Sequence, residues 1–194
     1  MSSSLFRPSS SPSSSAVIHS VHFYDQDEAL IQRLRGIVES AVETGNSTLI
    51  VATNKHRTQL ALELEKSGLD VPGLEQHGRL NFHDARETLT KIMVDRAPDR
   101  KRFAKLVGNM VSSSKQAAWN AGRGVTVFGE MVTLLWEDGN HTAALELENL
   151  WNELLHDQAF HLHCAYPRHI LENSDANMIR AICEGHSHVI GVAA

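Results

Sequence analysis

Twelve histidines, two cysteines and a carboxylate closing an apolar run are the residues through which this 194-residue chain could do chemistry. His161 and His163 stand two apart in Phe160-His-Leu-His-Cys-Ala-Tyr-Pro167, and His186 and His188 repeat that spacing. Residues at i and i+2 of a strand face the same side. Each pair could therefore give a zinc, iron or haem centre two ligands, provided a third arrives from elsewhere. The alternative for all four is a histidine that faces solvent or is hydrogen-bonded within the fold. Cys164 faces away from His163 but borders the same strand end.

Glu130 follows Val125-Thr-Val-Phe-Gly129, which places a carboxylate at the end of a strand. There it either bonds nearby backbone or anchors a ligand, because open α/β sheets bind in the crevice at their carboxyl edge. Tyr24 and Tyr166 end two other strands and so can reach the same cleft. Trp136 and Trp151 lie near the Glu130 segment and suit either core packing or an apolar pocket wall. Ser and His are too abundant here to single out a Ser-His-Asp arrangement. No His-Glu-x-x-His or Gly-x-Ser-x-Gly occurs.

The elements that must position these groups alternate. Val17 to Tyr24 predicts a strand. Asp25 and Glu28 have the spacing of a capping box for a helix that ends at Gly45. Thr48 to Ala52 is an unbroken apolar run, the mark of a strand covered on both faces. Asn54 is placed to cap a helix that stops at Gly68. Arg79–His83 reads as a strand, and a helix follows from Arg86 to Val94. After Pro98, Phe103, Leu106, Val107, Met110, Ala117 and Ala118 outline a long amphipathic helix ending at Gly122. Val125–Gly129 is a strand, Asn140 caps a helix, and Phe160–Ala165 is a further strand. Asn177–Glu184 is a short helix, and Val189–Val192 reads as an edge strand. The expected architecture is α/β with three layers: a mostly parallel sheet with helices on both faces.

Composition narrows the function classes. The net charge is −5 and the basic residues are scattered, which argues against direct nucleic-acid binding. No apolar stretch approaches the ~20 residues of a membrane span. Two isolated cysteines fit a reduced, cytoplasmic setting. Residues 1–16, rich in Ser and Pro, lack the apolar centre of a secretory signal and read as a disordered tail. Residues 17–194 read as one domain.

Several separated segments carry a resemblance. They are His22–Glu28, Ile50–Arg57, Gly78–Leu89, Phe128–Trp136, Ala143–Asn152, Cys164–Pro167 and Ile182–Val189. In this order they resemble the MEDS domain, named for methanogens, methylotrophs and the dichloromethane-dehalogenase regulator. The resemblance implies a prokaryotic sensory domain of two-component and related signal transduction, with a proposed role in sensing simple hydrocarbon derivatives. It also implies a fold like a degenerate RecA-like P-loop domain without the P-loop. The sequence agrees on that last point. A phosphate loop needs Gly-x-x-x-x-Gly-Lys-Ser/Thr so that backbone N–H groups cradle the phosphates. The corresponding turn here, Tyr24-Asp-Gln-Asp-Glu-Ala29, has neither glycine nor lysine and carries three carboxylates.

The expected function is non-enzymatic and needs no cofactor. A small organic ligand binds among Tyr24, Glu130, Trp136, Tyr166, His186 and His188, and the signal passes in trans to a histidine kinase or other regulatory protein. The rival readings are a metal or haem sensor on His161, His163, His186 and His188, and a ligand-free scaffold.

Overall fold

The computed structural model describes residues 17–118 and 124–191. The Ser/Pro-rich tail, the helix stop at Gly122 and Val192 lie outside the described residues.

Alternation along the first strand, β1 (His19–Tyr24), sets the two faces of the sheet. His19, Val21 and Phe23 point one way and Ser20, His22 and Tyr24 the other, as a period of two requires. Helix α1 (Asp27–Glu43) lays Leu30, Ile31, Leu34, Val38 and Ala41 against the second face. Its N-cap is Gln26, without a side-chain cap, rather than Asp25, which instead pairs with Arg168 at 2.7 Å. Strand β2 (Ser47–Ala52) is buried along its whole length, as its unbroken apolar run predicts. Helix α2 (Asn54–Lys66) is capped by Thr53, not by Asn54, whose Oδ1 accepts from Arg57. A short α3 (Val71–Gln76) leads to β3 (Leu80–Asp84).

The chain next forms α4 (Ala85–Ile92) and a two-stranded antiparallel hairpin, β4 (Met93–Val94) and β5 (Ala97–Pro98). The hairpin stands where the sequence pattern carried a helix to Val94, and its turn needs positive φ at Asp95 and Arg96. Helix α5 (Arg100–Ala117) follows, with Asp99 as cap, and then β6 (Val125–Gly129). Two helices then replace the expected one: α6 (Met131–Glu137) and α7 (His141–Gln158). Asn140 precedes α7 but does not cap it with its side chain; it donates to the Arg96 carbonyl instead. The chain ends through β7 (His161–Pro167), α8 (His169–Asn173), α9 (Ala176–Glu184) and β8 (His188–Ile190).

The six-stranded sheet runs β3-β2-β6-β7-β1-β8, and every pairing is parallel rather than mostly so. Two apolar layers flank it. Side chains of α1, α2 and α3 cover one face with Ile50, Ala52, Phe128 and Ala165. Those of α4 to α7 and α9 cover the other with Val21, Phe23, Val127 and Leu162. Gly129 lets Trp151 pack closely on β6, where a Cβ would lie 3.3 Å from its ring. The chain leaves β2 towards the α1–α2 layer and leaves β6 towards the α7 layer. Their junction is therefore a topological switch point, the position at which open α/β sheets bind their ligands. No helix among the described residues is long and apolar enough to cross a membrane.

Candidate functional site

Glu130 stands at that junction. Its N–H donates to the Val51 carbonyl at 2.9 Å, which extends the β2–β6 pairing by one residue. The side chain then reaches across the switch point to the start of α2. Oε2 accepts from the Thr53 N–H at 2.7 Å, and Oε1 lies 2.6 Å from His56 Nδ1. The carboxylate is 3% exposed and the imidazole 5%. The other imidazole nitrogen, Nε2, is buried without a hydrogen bond of good geometry and sits 3.4 Å from Asp27 Oδ1. Asp27 in turn pairs with Lys55. The Tyr24 ring lies edge-on to His56, with centroids 6.4 Å apart.

Burial pulls the His56 pKa down, but the hydrogen bond and charge of Glu130, with Asp27 beside it, outweigh burial and raise it. Tyr24 is held neutral by burial and by the nearby carboxylates of Glu130, Asp27 and Glu137. The switch point thus holds a buried carboxylate–imidazole dyad whose second ring nitrogen faces Asp27. The acidic turn that lacks a phosphate loop is tied down here by Lys55, His56 and Arg168.

The remaining candidates lie elsewhere. Trp136 and Tyr166 sit on the opposite face of the sheet. The Trp136 ring stacks on His141 with centroids 4.4 Å apart, and its Nε1–H donates to Ser174 Oγ at 3.0 Å. The Tyr166 hydroxyl, fully buried, donates to Glu148 Oε1 at 2.8 Å. His186 belongs to the same buried group as Glu148, near the amino end of β1. His188 is exposed on β8 and approaches only Ser187 Oγ, at 3.2 Å. The six proposed ligand contacts therefore do not come together in one place; Tyr24 and Glu130 both neighbour His56.

The four histidines considered for a metal do not converge either. His161 and His163 open onto the α1 face, in a hollow of about 610 Å³ that Arg33 and Thr126 also line. His163 Nδ1 bonds Ser20 Oγ at 2.5 Å. Burial, with Arg33 and the neighbouring histidines, depresses the His163 pKa to about 4.

A different group does converge. His19 of β1, Glu148 of α7, Cys164 of β7 and His186 after α9 each offer one ligand atom, all within 4.8 Å of one another and all buried. Glu148 Oε2 lies 3.5 Å from His19 Nε2, 3.5 Å from His186 Nε2 and 3.5 Å from Cys164 Sγ. Cys164 Sγ is also 3.5 Å from His19 Nε2. Burial opposes charge on Glu148, yet hydrogen bonding and the charge of the two imidazoles hold its pKa down at about 2. His186 is pulled down by burial but raised on balance by Glu148 and the Ile182 carbonyl. Burial, then the Glu148 charge, keeps the Cys164 thiol and the Tyr166 hydroxyl protonated.

Sequence reasoning passed over His56, His19 and Glu148. Glu148 did leave a signal: it interrupts the buried stripe of Ala144, Leu147, Trp151 and Leu155 on α7. A carboxylate on a core-facing stripe needs a partner. The family model described as MEDS, the methanogen/methylotroph, DcmR sensory domain, matches residues 18–187. No curated protein matches the chain.

Proposed function

The chain belongs to the MEDS family of sensory domains, and from that premise we propose that it senses a small organic molecule at the β2/β6 switch point. The observation that carries this reading is the buried Glu130–His56 dyad spanning the switch point, with His56 Nε2 lacking a good hydrogen bond. Ligands of open α/β sheets bind at such points. A hydroxyl or carbonyl compound of a few atoms would compete with Asp27 for His56 Nε2 and reach the neutral Tyr24 hydroxyl. No nucleotide cradle competes for the position.

Binding becomes a signal through the bridge that Glu130 makes. Its carboxylate joins the end of β6 to the first turn of α2. A ligand that takes over one of those hydrogen bonds shifts the balance between bridged and released positions of α2, by as much as its affinity differs between them. The α2 surface would then alter its contact with a separate regulator, such as a histidine kinase. On this reading the domain binds and releases its ligand unchanged.

The test is a thermal-shift panel of short alcohols, aldehydes and halogenated alkanes on the full chain and on Glu130→Gln. A ligand of the native state raises the apparent melting temperature. The expected result is a compound that does so for the original chain and not for the variant. A panel without effect, or one that acts equally on both proteins, would sink the reading.

A further inference from the structure

The buried group on the opposite face has a geometry that internal hydrogen bonding accounts for only in part. Four polar side chains, none more than 5% exposed apart from His186 at 8%, aim one atom each at a common centre. A neutral or charged hydrogen bond between nitrogen and oxygen settles near 2.7–3.0 Å. The two Glu148–imidazole separations are 3.5 Å instead, while the two contacts of Cys164 Sγ, also 3.5 Å, are ordinary for sulfur. A tetrahedral ion with bonds of ~2.0–2.3 Å to N, O and S donors sets its donors roughly 3.3–3.8 Å apart. Four of the six spacings are therefore those of the edges of a coordination tetrahedron, and all six lie within 4.8 Å.

The outer contacts agree. His19 Nδ1 lies 2.8 Å from Asn152 Oδ1, and His186 Nδ1 lies 2.6 Å from the Ile182 carbonyl. Each ring faces an acceptor on its outer side, so Nδ1 carries a hydrogen and Nε2 is the nitrogen left to give its lone pair to an ion, which displaces any proton there. Metal-bound histidines are oriented in this way by their outer partners. His186 Nε2 is buried and has no hydrogen-bond partner of its own. Glu148 is held similarly: Tyr166 occupies Oε1 and leaves Oε2 for the centre. Two imidazoles, a thiolate and a carboxylate form a mixed donor set that zinc accepts, and four protein ligands close the site to substrate.

We propose that His19, Glu148, Cys164 and His186 form a structural four-coordinate site for a divalent transition ion of the zinc class. The ion would fasten the segment that follows α9 to β1, β7 and α7. On binding, the Cys164 thiol and any imidazolium Nε2 of the site lose their protons to solvent, and the sulfur coordinates as thiolate; no oxidation state changes. The proposal stands apart from the switch-point reading, since the two sites occupy different faces and share no residue.

The experiment uses the full chain without a metal-binding tag. Zinc content is measured as purified, and the chelator-treated protein is then titrated with cobalt(II). One equivalent of zinc is expected, together with the intense visible bands of four-coordinate cobalt and a near-ultraviolet thiolate-to-cobalt band. Cys164→Ser removes the thiolate band, whereas Cys183→Ser and His188→Ala retain it. Asn152→Ala leaves all four ligands in place and weakens cobalt binding by ~10–100-fold, as loss of an outer partner does. If Cys164→Ser fails to fold, the band in the unaltered chain and its survival in Cys183→Ser still decide the question. The proposal is overturned if the unaltered chain holds no zinc and shows no cobalt bands at one equivalent. It is equally overturned if the thiolate band persists in Cys164→Ser or is lost in Cys183→Ser.

Discussion

Glu130 and Glu148 are both buried glutamates facing histidine, yet they sit on opposite faces of one sheet and do different things. At the carboxyl edge, His56 turns Nδ1 towards the carboxylate at 2.6 Å, and the proton between them is part of the pair. In the core, His19 and His186 turn Nδ1 away, to Asn152 and to the Ile182 carbonyl, and hold Nε2 3.5 Å from the carboxylate. The residue types are the same, and the difference lies in what stands behind each imidazole. A ring with an acceptor behind it holds Nε2 ready for an ion that displaces its proton. A ring with the carboxylate on Nδ1 presents a hydrogen-bonded dyad. The first arrangement suits an ion and the second a small polar molecule.

The largest expected effect is that of removing the core carboxylate. In metal-free protein, Glu148→Ala leaves two imidazoles and the Tyr166 hydroxyl facing a cavity. Breaking a buried charged network of this kind costs about 3–5 kcal/mol, to be read from urea unfolding with chelator present. A cost below about 1 kcal/mol, the worth of one ordinary hydrogen bond, would mean that the group is not a network at all.

Glu130→Gln should cost less, about 1.5–3 kcal/mol, the range for a hydrogen bond to a charged group. The glutamine oxygen can still accept from Thr53 N–H, so the loss is confined to the His56 partner. A cost equal to that of Glu148→Ala would erase the distinction between a bridge at an edge and a network in a core.

The pH dependence sharpens the same contrast. His56 titrates above its ordinary value of ~6.5, because Glu130 from the end of β6 and Asp27 from α1 outweigh burial. Tyr24 of β1 faces it as a neutral group, and the Lys55 ammonium is engaged with Asp27. A raised pKa means that the fold favours the imidazolium. Its stabilisation is full below the unfolded value and fades as pH rises through the folded one. The gap in urea midpoint between the original chain and His56→Gln should therefore be widest near about pH 5 and shrink towards about pH 9. A gap that widens with pH would show that His56 is held neutral.

How much of this was legible follows from the range of each signal. Local periodicity gave the alternation of strands and helices, and the apolar run before Gly129 marked β6 and the position of Glu130. Helix α6 left no period to read, because its residues Met131 to Trp136 are all buried. The β4–β5 hairpin rests on positive φ at Asp95 and Arg96, which residue type does not advertise. The sites were harder, since pairing is long-range. His56 meets Glu130 only because β2 and β6 are neighbours, and His19 meets Cys164 only because β1 and β7 are. Glu148, Cys164 and His186 all lie in segments that carry the family resemblance, but spacing drew attention to histidine pairs. A pair at i and i+2 predicts a shared face, and whether a third ligand meets it depends on the register of other strands.

His186 and His188 make the smallest and final test of that point. The spacing treats them alike. The fold buries the first in the Glu148 group and leaves the second exposed at the edge of the sheet. Among the described residues, the hydrogen-bond partner of the His188 side chain is Ser187 Oγ. His188→Ala should therefore change stability by no more than about 0.5 kcal/mol, as for other surface positions, with and without zinc in the urea titration. A zinc-dependent loss on that substitution would move the fourth ligand from His186 to His188. The segment after α9 would then have to pair with β1 in a different register from the observed Ser20–His188 match.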